Sequence, residues 1–252
     1  MIPIKTENQI EQMKKGGTIL ARVLNAAAKM VGPGIGTAEL DEFVESEIRA
    51  ANGFPIFKGY HGFPTALCTS INDEVVHAPA KPNRILKEGD IVGLDLCLRY
   101  PAKNGLVVDA ALTVAVGKIS KSAKKLMAAT ADALNVAIKK IKPGIKLGDI
   151  SSAIQVAVEK KGFSVVRDLV GHGVGEKLHE EPQIPNYGLP GTGPILEAGM
   201  TLAIEPMVNA GRCFVMEDRK TGAFKTADGS LSAHFEHTVL VTEKGCEILT
   251  KE

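Results

Sequence analysis

The sequence predicts an α+β fold built from two halves related by a pseudo-twofold axis, and three observations carry that reading. Two amphipathic helical patterns followed by strand patterns occur in the same order twice along the chain. Short motifs recur at a constant offset of 110 residues: PGI at 33–35 and 143–145, Leu24 and Asn25 at Leu134 and Asn135, and RILKEGDIVGLDL (84–96) against PILEAGMTLAIEP (194–206). The recurrence also carries acidic residues with it, placing Asp95 on Glu205, while DAALTV from Asp109 resembles EHTVLV from Glu236. Ordered matches at one offset mark an internal duplication. They predict one domain over 1–252, with halves of about 1–118 and 119–252 sharing a site between them.

In order along the chain, Thr6 and Gln9 form a capping box, followed at helical spacing by Ile10, Met13, Leu20, Val23, Leu24 and Ala27. That helix stops before Pro33 and Gly34. Thr37 is expected to cap a second helix with Leu40, Val44 and Ile48 on its inner face, ended by Asn52 and Gly53. GYHGFPTALCTS (59–70) reads as a turn entering a strand, and His77 ends a short extended piece. DIVGLDLCL (90–98) and LVVDAALTVAV (106–116) read as strands of a hairpin turning at Asn104 and Gly105. In the second half, Ser120 and Asp149 are expected to cap two more helices. These are followed by a glycine- and proline-rich loop at 171–188, a strand at 199–208 and a last strand at 234–241.

Composition excludes several functions. A chain of 252 residues with 44% hydrophobic and 23% charged residues is ordinary for a soluble globular protein. The net charge of +1 provides no field to hold nucleic acid or an anionic membrane. Four scattered cysteines without a CxxC pair argue against a zinc knuckle or a disulfide framework. No apolar run is long enough to span a membrane, and MIPIKTENQIEQ lacks a signal-peptide core, so a reducing cytoplasm is the expected compartment.

Chemistry concentrates in two places. The stretch GHGVGEKLHEEPQIPNYG (171–188) carries His172 and His179, with glycines on both sides of the first. A lone histidine is most often a hydrogen-bonded structural group, so its partners decide its meaning. The duplication picks out Asp95, Asp109, Glu205 and Glu236, each flanked by buried-strand residues. A single acid in a strand usually faces outward; four at duplicated positions need neutralising, because an ionised carboxylate is costly to bury unpaired. Arg99 is the nearest base in those segments. Two divalent cations would cancel the four charges, with His172 as a nitrogen ligand, which suits a catalytic metal pair better than a closed structural zinc.

NGFPIFKGYHGFPTALCTSINDEVVH, the Asp95 and Asp109 strands, GHGVGEKLHEEPQIPNYG, TLAIEPMV and SLSAHFEHTVLVT together resemble bacterial type I methionine aminopeptidase over nearly the whole chain. The resemblance implies the pita-bread (creatinase/aminopeptidase-like) fold and removal of the initiator methionine by a water activated between two metals. It implies that Asp109 and Glu236 bridge the metals, that Asp95 completes one site, and that His172 and Glu205 complete the other. Glu205 would also take a proton from the water, His179 would support the oxyanion, and His77 would contact the peptide nitrogen beyond the scissile bond. Tyr60, His61, Phe63 and Cys68 would line the methionine pocket, where a flexible thioether suits an aromatic and sulfur-lined wall.

Three features depart from the family's pattern and bear on pocket shape. RYPAKNG lengthens the hairpin between Asp95 and Asp109, Val108 and Ala110 flank the bridging aspartate, and no tryptophan is present, Gly222 or Phe224 standing in its region. The rival readings are an aminopeptidase P or prolidase relative and a non-catalytic peptide-binding protein. The GYHGFP segment and short chain disfavour the first, and the full ligand set disfavours the second. The ligands do not discriminate among Mn, Fe, Co and Zn. The expected partners are nascent peptides with an N-terminal methionine and, through the family's task, the ribosome. A monomer is expected, since the duplication already supplies twofold packing.

Overall fold

Each half opens on a helix pair whose boundaries follow from local chemistry. In the computed structural model, which describes residues 2–252, α1 spans Glu7–Met30 and is held by the expected capping box between Thr6 and Gln9. Helix α2 spans Thr37–Ala50, and here the expectation fails: Gly36, not Thr37, is the N-cap. Gly36 is tied to Ile85 by an isolated β-bridge, which fixes its backbone as extended and starts the helix one residue earlier than a Thr37 cap would. The Thr37 hydroxyl instead donates to the Ala80 carbonyl at 2.6 Å and accepts from the Arg84 amide at 3.0 Å. In the second half α3 (Lys121–Lys140) is capped by Ser120 as expected, while α4 (Leu147–Glu159) has Lys146 at its N-cap. Asp149 lies in the first turn of α4, where its carboxylate accepts the Lys146 and Gly191 amides. Lys146 bridges Ile195, as Gly36 bridges Ile85, so both corrections have one cause.

The duplication reaches individual hydrogen bonds. Gly34 N–H donates to Leu86 as Gly144 donates to Leu196, and Leu86 donates to Ile35 as Leu196 donates to Ile145. Thr37 donates to Arg84 as Leu147 donates to Pro194. All three pairs keep the 110-residue offset read from the sequence.

The first-half strands are β1 (Phe54–Pro55), β2 (Leu67–Ile71), β3 (Glu74–Val76), β4 (Ile91–Tyr100) and β5 (Leu106–Ala115), with a 3-10 turn at Tyr60–Gly62. The second half contributes β6 (Ser164–Val165), β7 (Val170–Gly173), β8 (Glu180–Pro185), β9 (Thr201–Ile204), β10 (Met207–Asn209), β11 (Val215–Glu217), β12 (Phe224–Thr226), β13 (Ser232–His234), β14 (Glu236–Val241) and β15 (Cys246–Ile248). A nine-stranded sheet runs β1-β4-β5-β14-β9-β7-β8, with β2 beside β4 and β15 beside β14. The halves join at β5 and β14, where Glu236 faces Ala111 and His237 faces Ala110.

Three strand expectations change. The 171–188 stretch is a strand pair, β7 with β8, rather than a loop. The predicted strand over 199–208 breaks at Glu205 and Pro206, because proline has no N–H for the ladder, and β10 continues in a separate sheet with β13 and β6. The predicted 234–241 strand likewise breaks at Phe235, and β15 follows it.

Each half has its own apolar core. Leu20, Val23 and Leu24 of α1 and Leu40, Val44 and Ile48 of α2 pack on Leu94, Leu96 and Leu98. Leu126, Leu134, Ile150 and Ile154 of α3 and α4 pack on Leu202, Ile204 and Val239. At about 1.5–3 kcal/mol per buried aliphatic side chain, these layers supply most of the force holding helices to sheet.

The ends of the chain cross between halves. The Lys5 amide donates to Gly199 at 2.9 Å, and its ammonium pairs with Glu180 at 2.7 Å with both side chains buried. From the other end, the Leu249 carbonyl lies where a side chain on Gly17 would sit, so α1 passes the last strand at backbone contact distance.

Candidate metal centre

Sheet register gathers the five candidate ligands on one face. Side chains alternate along a strand and directly opposed residues share a face. Cys97 faces Asp109 and Asp95 faces Ala111, so Asp95 and Asp109 point the same way. Glu236 faces Ala111 and joins them. The β9–β14 register of His237 with Ile204 brings Glu236 opposite Glu205, just past the end of β9. His172 faces Ala203, two residues before Glu205, and completes the set. Because the hairpin pairs without interruption from Ile91 with Ala115 to Tyr100 with Leu106, RYPAKNG lengthens its tip without turning either carboxylate away.

The result is a small cavity of about 70 Å³ bounded by Asp95, Asp109, His172, Glu205 and Glu236, with His77 and His179 at its mouth. Ligand atoms of Asp109, His172 and Glu236 lie within 4.8 Å of one another. His172 Nε2 is 3.5 Å from Glu205 Oε1 and 4.0 Å from Asp109 Oδ2. Its Nδ1 lies 2.9 Å from the Gly173 carbonyl, which can only accept, so Nδ1 carries the proton and Nε2 turns a lone pair inward. Burial holds His172 near pKa 4, with nearby His179 adding to the effect, so the ring is neutral. Asp109 is anchored through its backbone: the Thr238 hydroxyl donates to its carbonyl at 2.8 Å and accepts its amide at 2.9 Å.

The carboxylates are buried together. Loss of water raises Asp95 to about 7 and pushes Asp109, Glu205 and Glu236 well above the carboxylate range, mutual repulsion adding to it for Asp109 and Glu236. Asp95 Oδ1, Asp109 Oδ1 and Glu236 Oε1 are buried with no hydrogen-bond partner. Crowded oxygens without donors, beside an inward imidazole lone pair, fit a divalent cation. Arg99 does not neutralise them; it lines a separate cleft with Phe54, Lys58 and Lys177.

Next to this cavity lies a second of about 410 Å³. Tyr60, His61, Phe63, Cys68, His77 and His179 all line it, as do Thr221 and Gly222. No residue of the lengthened hairpin tip borders it, whereas Gly222 does, at φ 75° with open space on its Cβ side. Phe224 stands behind, edge-on to His77 at 5.9 Å. The Tyr60 hydroxyl is 3.1 Å from His179 Nδ1. Burial lowers His77 to about 4 and raises the Cys68 thiol, so these two side chains are uncharged at neutral pH.

The sequence pattern of metallopeptidase family M24 matches residues 11–243. Methionine aminopeptidase 1 of Bacillus subtilis is 46% identical over 251 residues, covering 100% of both chains. The crystal structure of methionine aminopeptidase from Thermotoga maritima superposes with a TM-score of 0.97 at 49% identity, covering 100% of each chain. The chain belongs to the methionine aminopeptidases of metallopeptidase family M24.

A prolidase from Pyrococcus furiosus shares the pita-bread fold alone, at TM-score 0.78 and 22% identity, with this chain spanning 65% of its length. As a methionine aminopeptidase relative, the chain has a divalent metal as part of its working site, in agreement with the donor set above. Among the described residues, no helix is long and apolar enough to cross a membrane. One buried group in the centre escaped the sequence reading: His234, 3% exposed, whose Nε2 lies 3.5 Å from Glu205 Oε2. The spacing of His234 and Glu236 in SAHFEH was its only signal, and a residue two before an acid is not distinctive.

Proposed function

We propose that this chain removes the N-terminal methionine from nascent proteins and peptides whose second residue is small, as one catalytic unit using two divalent cations drawn from Mn, Fe, Co and Zn. The observation that carries this reading is the adjacency of the carboxylate cavity and the aromatic and sulfur-lined pocket, with His77 and His179 bordering both. Asp109 and Glu236 would hold both cations, His172 and Glu205 would complete one site, and Asp95 the other. When bound, the cations polarise the scissile carbonyl and lower the pKa of water.

The protein's own groups do the rest. Glu205 takes a proton from the attacking water. If the Tyr60 hydroxyl donates to Nδ1 of His179, Nε2 keeps its proton and offers an N–H to the oxygen that gains charge. His77, held neutral by burial, contacts the peptide nitrogen beyond the scissile bond. Tyr60, His61, Phe63 and Cys68 receive the methionine side chain, and a wider cleft past His172 and His179, bordered by Asp168, Glu176 and Glu181, gives the remaining peptide a way out. A cytoplasmic monomer working beside the ribosome fits this task.

The test is peptide turnover by metal-reconstituted protein. Free methionine should be released from Met-Ala-Ser, while Ala-Pro peptides stay intact. Cleavage of the proline series instead would move the chain to the prolidase reading.

A further inference from the structure

Glu205 sits between two imidazoles. Its Oε1 is 3.5 Å from His172 Nε2, and its Oε2 is 3.5 Å from His234 Nε2. The His234 ring is buried, and its Nε2 has no hydrogen-bond partner, while the nearest Glu236 oxygen lies farther off at 4.0 Å. The backbone of His234 is pinned twice by one side chain: the Thr113 hydroxyl donates to its carbonyl at 2.8 Å and accepts its amide at 3.0 Å. A buried ring on a backbone so fixed, with its Nε2 nearest a carboxylate and otherwise unpaired, is placed to act on that carboxylate.

We propose that His234 is a positioning residue that donates its Nε2–H to Oε2 of Glu205, holding Oε1 on the His172 side where a cation is read to sit. The inference rests on the reading of Glu205 as a metal ligand. Glu205 needs such a partner because it lies at the break between β9 and β10, outside the ladder that steadies the other ligands. Among the described residues, no other side chain donates a hydrogen bond to its carboxylate. The separation exceeds a good N–H···O distance by about 0.5 Å, which a small turn of the carboxylate closes. Outer partners of this kind restrict a ligand to one orientation, and their loss typically lowers metal affinity or activity about 10–100-fold.

The experiment compares full-length wild type with His234→Leu, His234→Gln and Glu205→Ala. Co(II) affinity is measured by calorimetric titration and coordination by the visible absorption of the cobalt-loaded protein. Thermal melts check folding, and His234→Ala replaces the leucine variant if that one does not fold. The leucine variant should lose about 10–100-fold in Co(II) affinity and shift the visible bands. The glutamine variant, which keeps an N–H donor, should recover most of the affinity and the wild-type bands. Unchanged affinity and spectrum in the leucine variant would overturn the proposal, and so would equal losses in both variants, which would make His234 a ligand itself. Glu205→Ala separates the two readings: if it keeps full affinity, the ligand assignment of Glu205 fails instead.

Discussion

Replacing Asp95 with asparagine should make the metal-free protein more stable at pH 8 while weakening its response to metal. Asp95 is fully buried in the centre, and desolvation raises its carboxyl from 3.8 to about 7. A carboxyl with a higher pKa in the folded than in the unfolded chain stabilises the fold below the unfolded value. That stabilisation is lost as pH rises through the folded value. At about 1.36 kcal/mol per pH unit, the gap amounts to a loss on the order of 4 kcal/mol by pH 8. Asparagine cannot ionise and escapes that loss. For a chain of this size, 1 kcal/mol moves Tm by about 2–4 °C, so the variant should melt roughly 10 °C above wild type at pH 8 in chelator. The difference should narrow at pH 5. Mn(II) at about 1,000 times its Kd should close the gap, since a ligand at that excess adds about 4.1 kcal/mol to the form that binds it. The assay is thermal unfolding by circular dichroism at both pH values, with and without metal. A wild-type Tm that does not fall from pH 5 to pH 8 in chelator would refute the reasoning, as would an Asp95→Asn variant no more stable than wild type at pH 8.

Other perturbations test separate parts of the site. Asp109→Ala and Glu236→Ala should each abolish both metal binding, read by elemental analysis after dialysis, and turnover; full activity in either would remove its bridging role. His77→Ala and His179→Ala should lower kcat by about 100-fold with metal content unchanged, the scale for losing one donor to a developing charge. Gly171→Ala should disturb β7, which carries His172, and β9, which leads into Glu205, because its Cβ would lie 2.5 Å from the Ala203 carbonyl and 3.3 Å from Glu205 Cγ. Backbone cannot yield as a flexible side chain can, so a loss of about 1–3 kcal/mol in urea unfolding is expected, together with weakened metal binding.

Much of this architecture was legible because duplication and alternation are both properties of one-dimensional order. A 110-residue offset predicted paired halves, and it recurs in backbone bonds such as Gly34 to Leu86 and Gly144 to Leu196. The two strands read as a hairpin, β4 and β5, are each ten residues long and pair without interruption, which puts Asp95 and Asp109 on one face. Features set by contacts distant in sequence were not legible. The N-caps at Gly36 and Lys146 depend on bridges to Ile85 and Ile195, about fifty residues downstream. Glu205 read as a strand interior because Pro206 alone does not reveal that the chain leaves one sheet for another. His234 was silent for a related reason: its meaning lies in its distance to Glu205, across a turn between sheets. Arg99, the nearest base in sequence, lines another cleft, in keeping with the reading that cations rather than a basic side chain neutralise the carboxylates.

The crossing of the two chain ends has a mechanical consequence. Residue 5 grips the second half through Gly199 and Glu180, while Leu249 lies against α1 in the first. Each half is therefore fastened by a segment belonging to the other, at opposite ends of the polypeptide. Pulling the termini apart would load these two clasps before the sheet, so resistance to force should begin there. Truncating either end should release both halves together, and circular dichroism and calorimetry on such truncations should report one coincident transition rather than two.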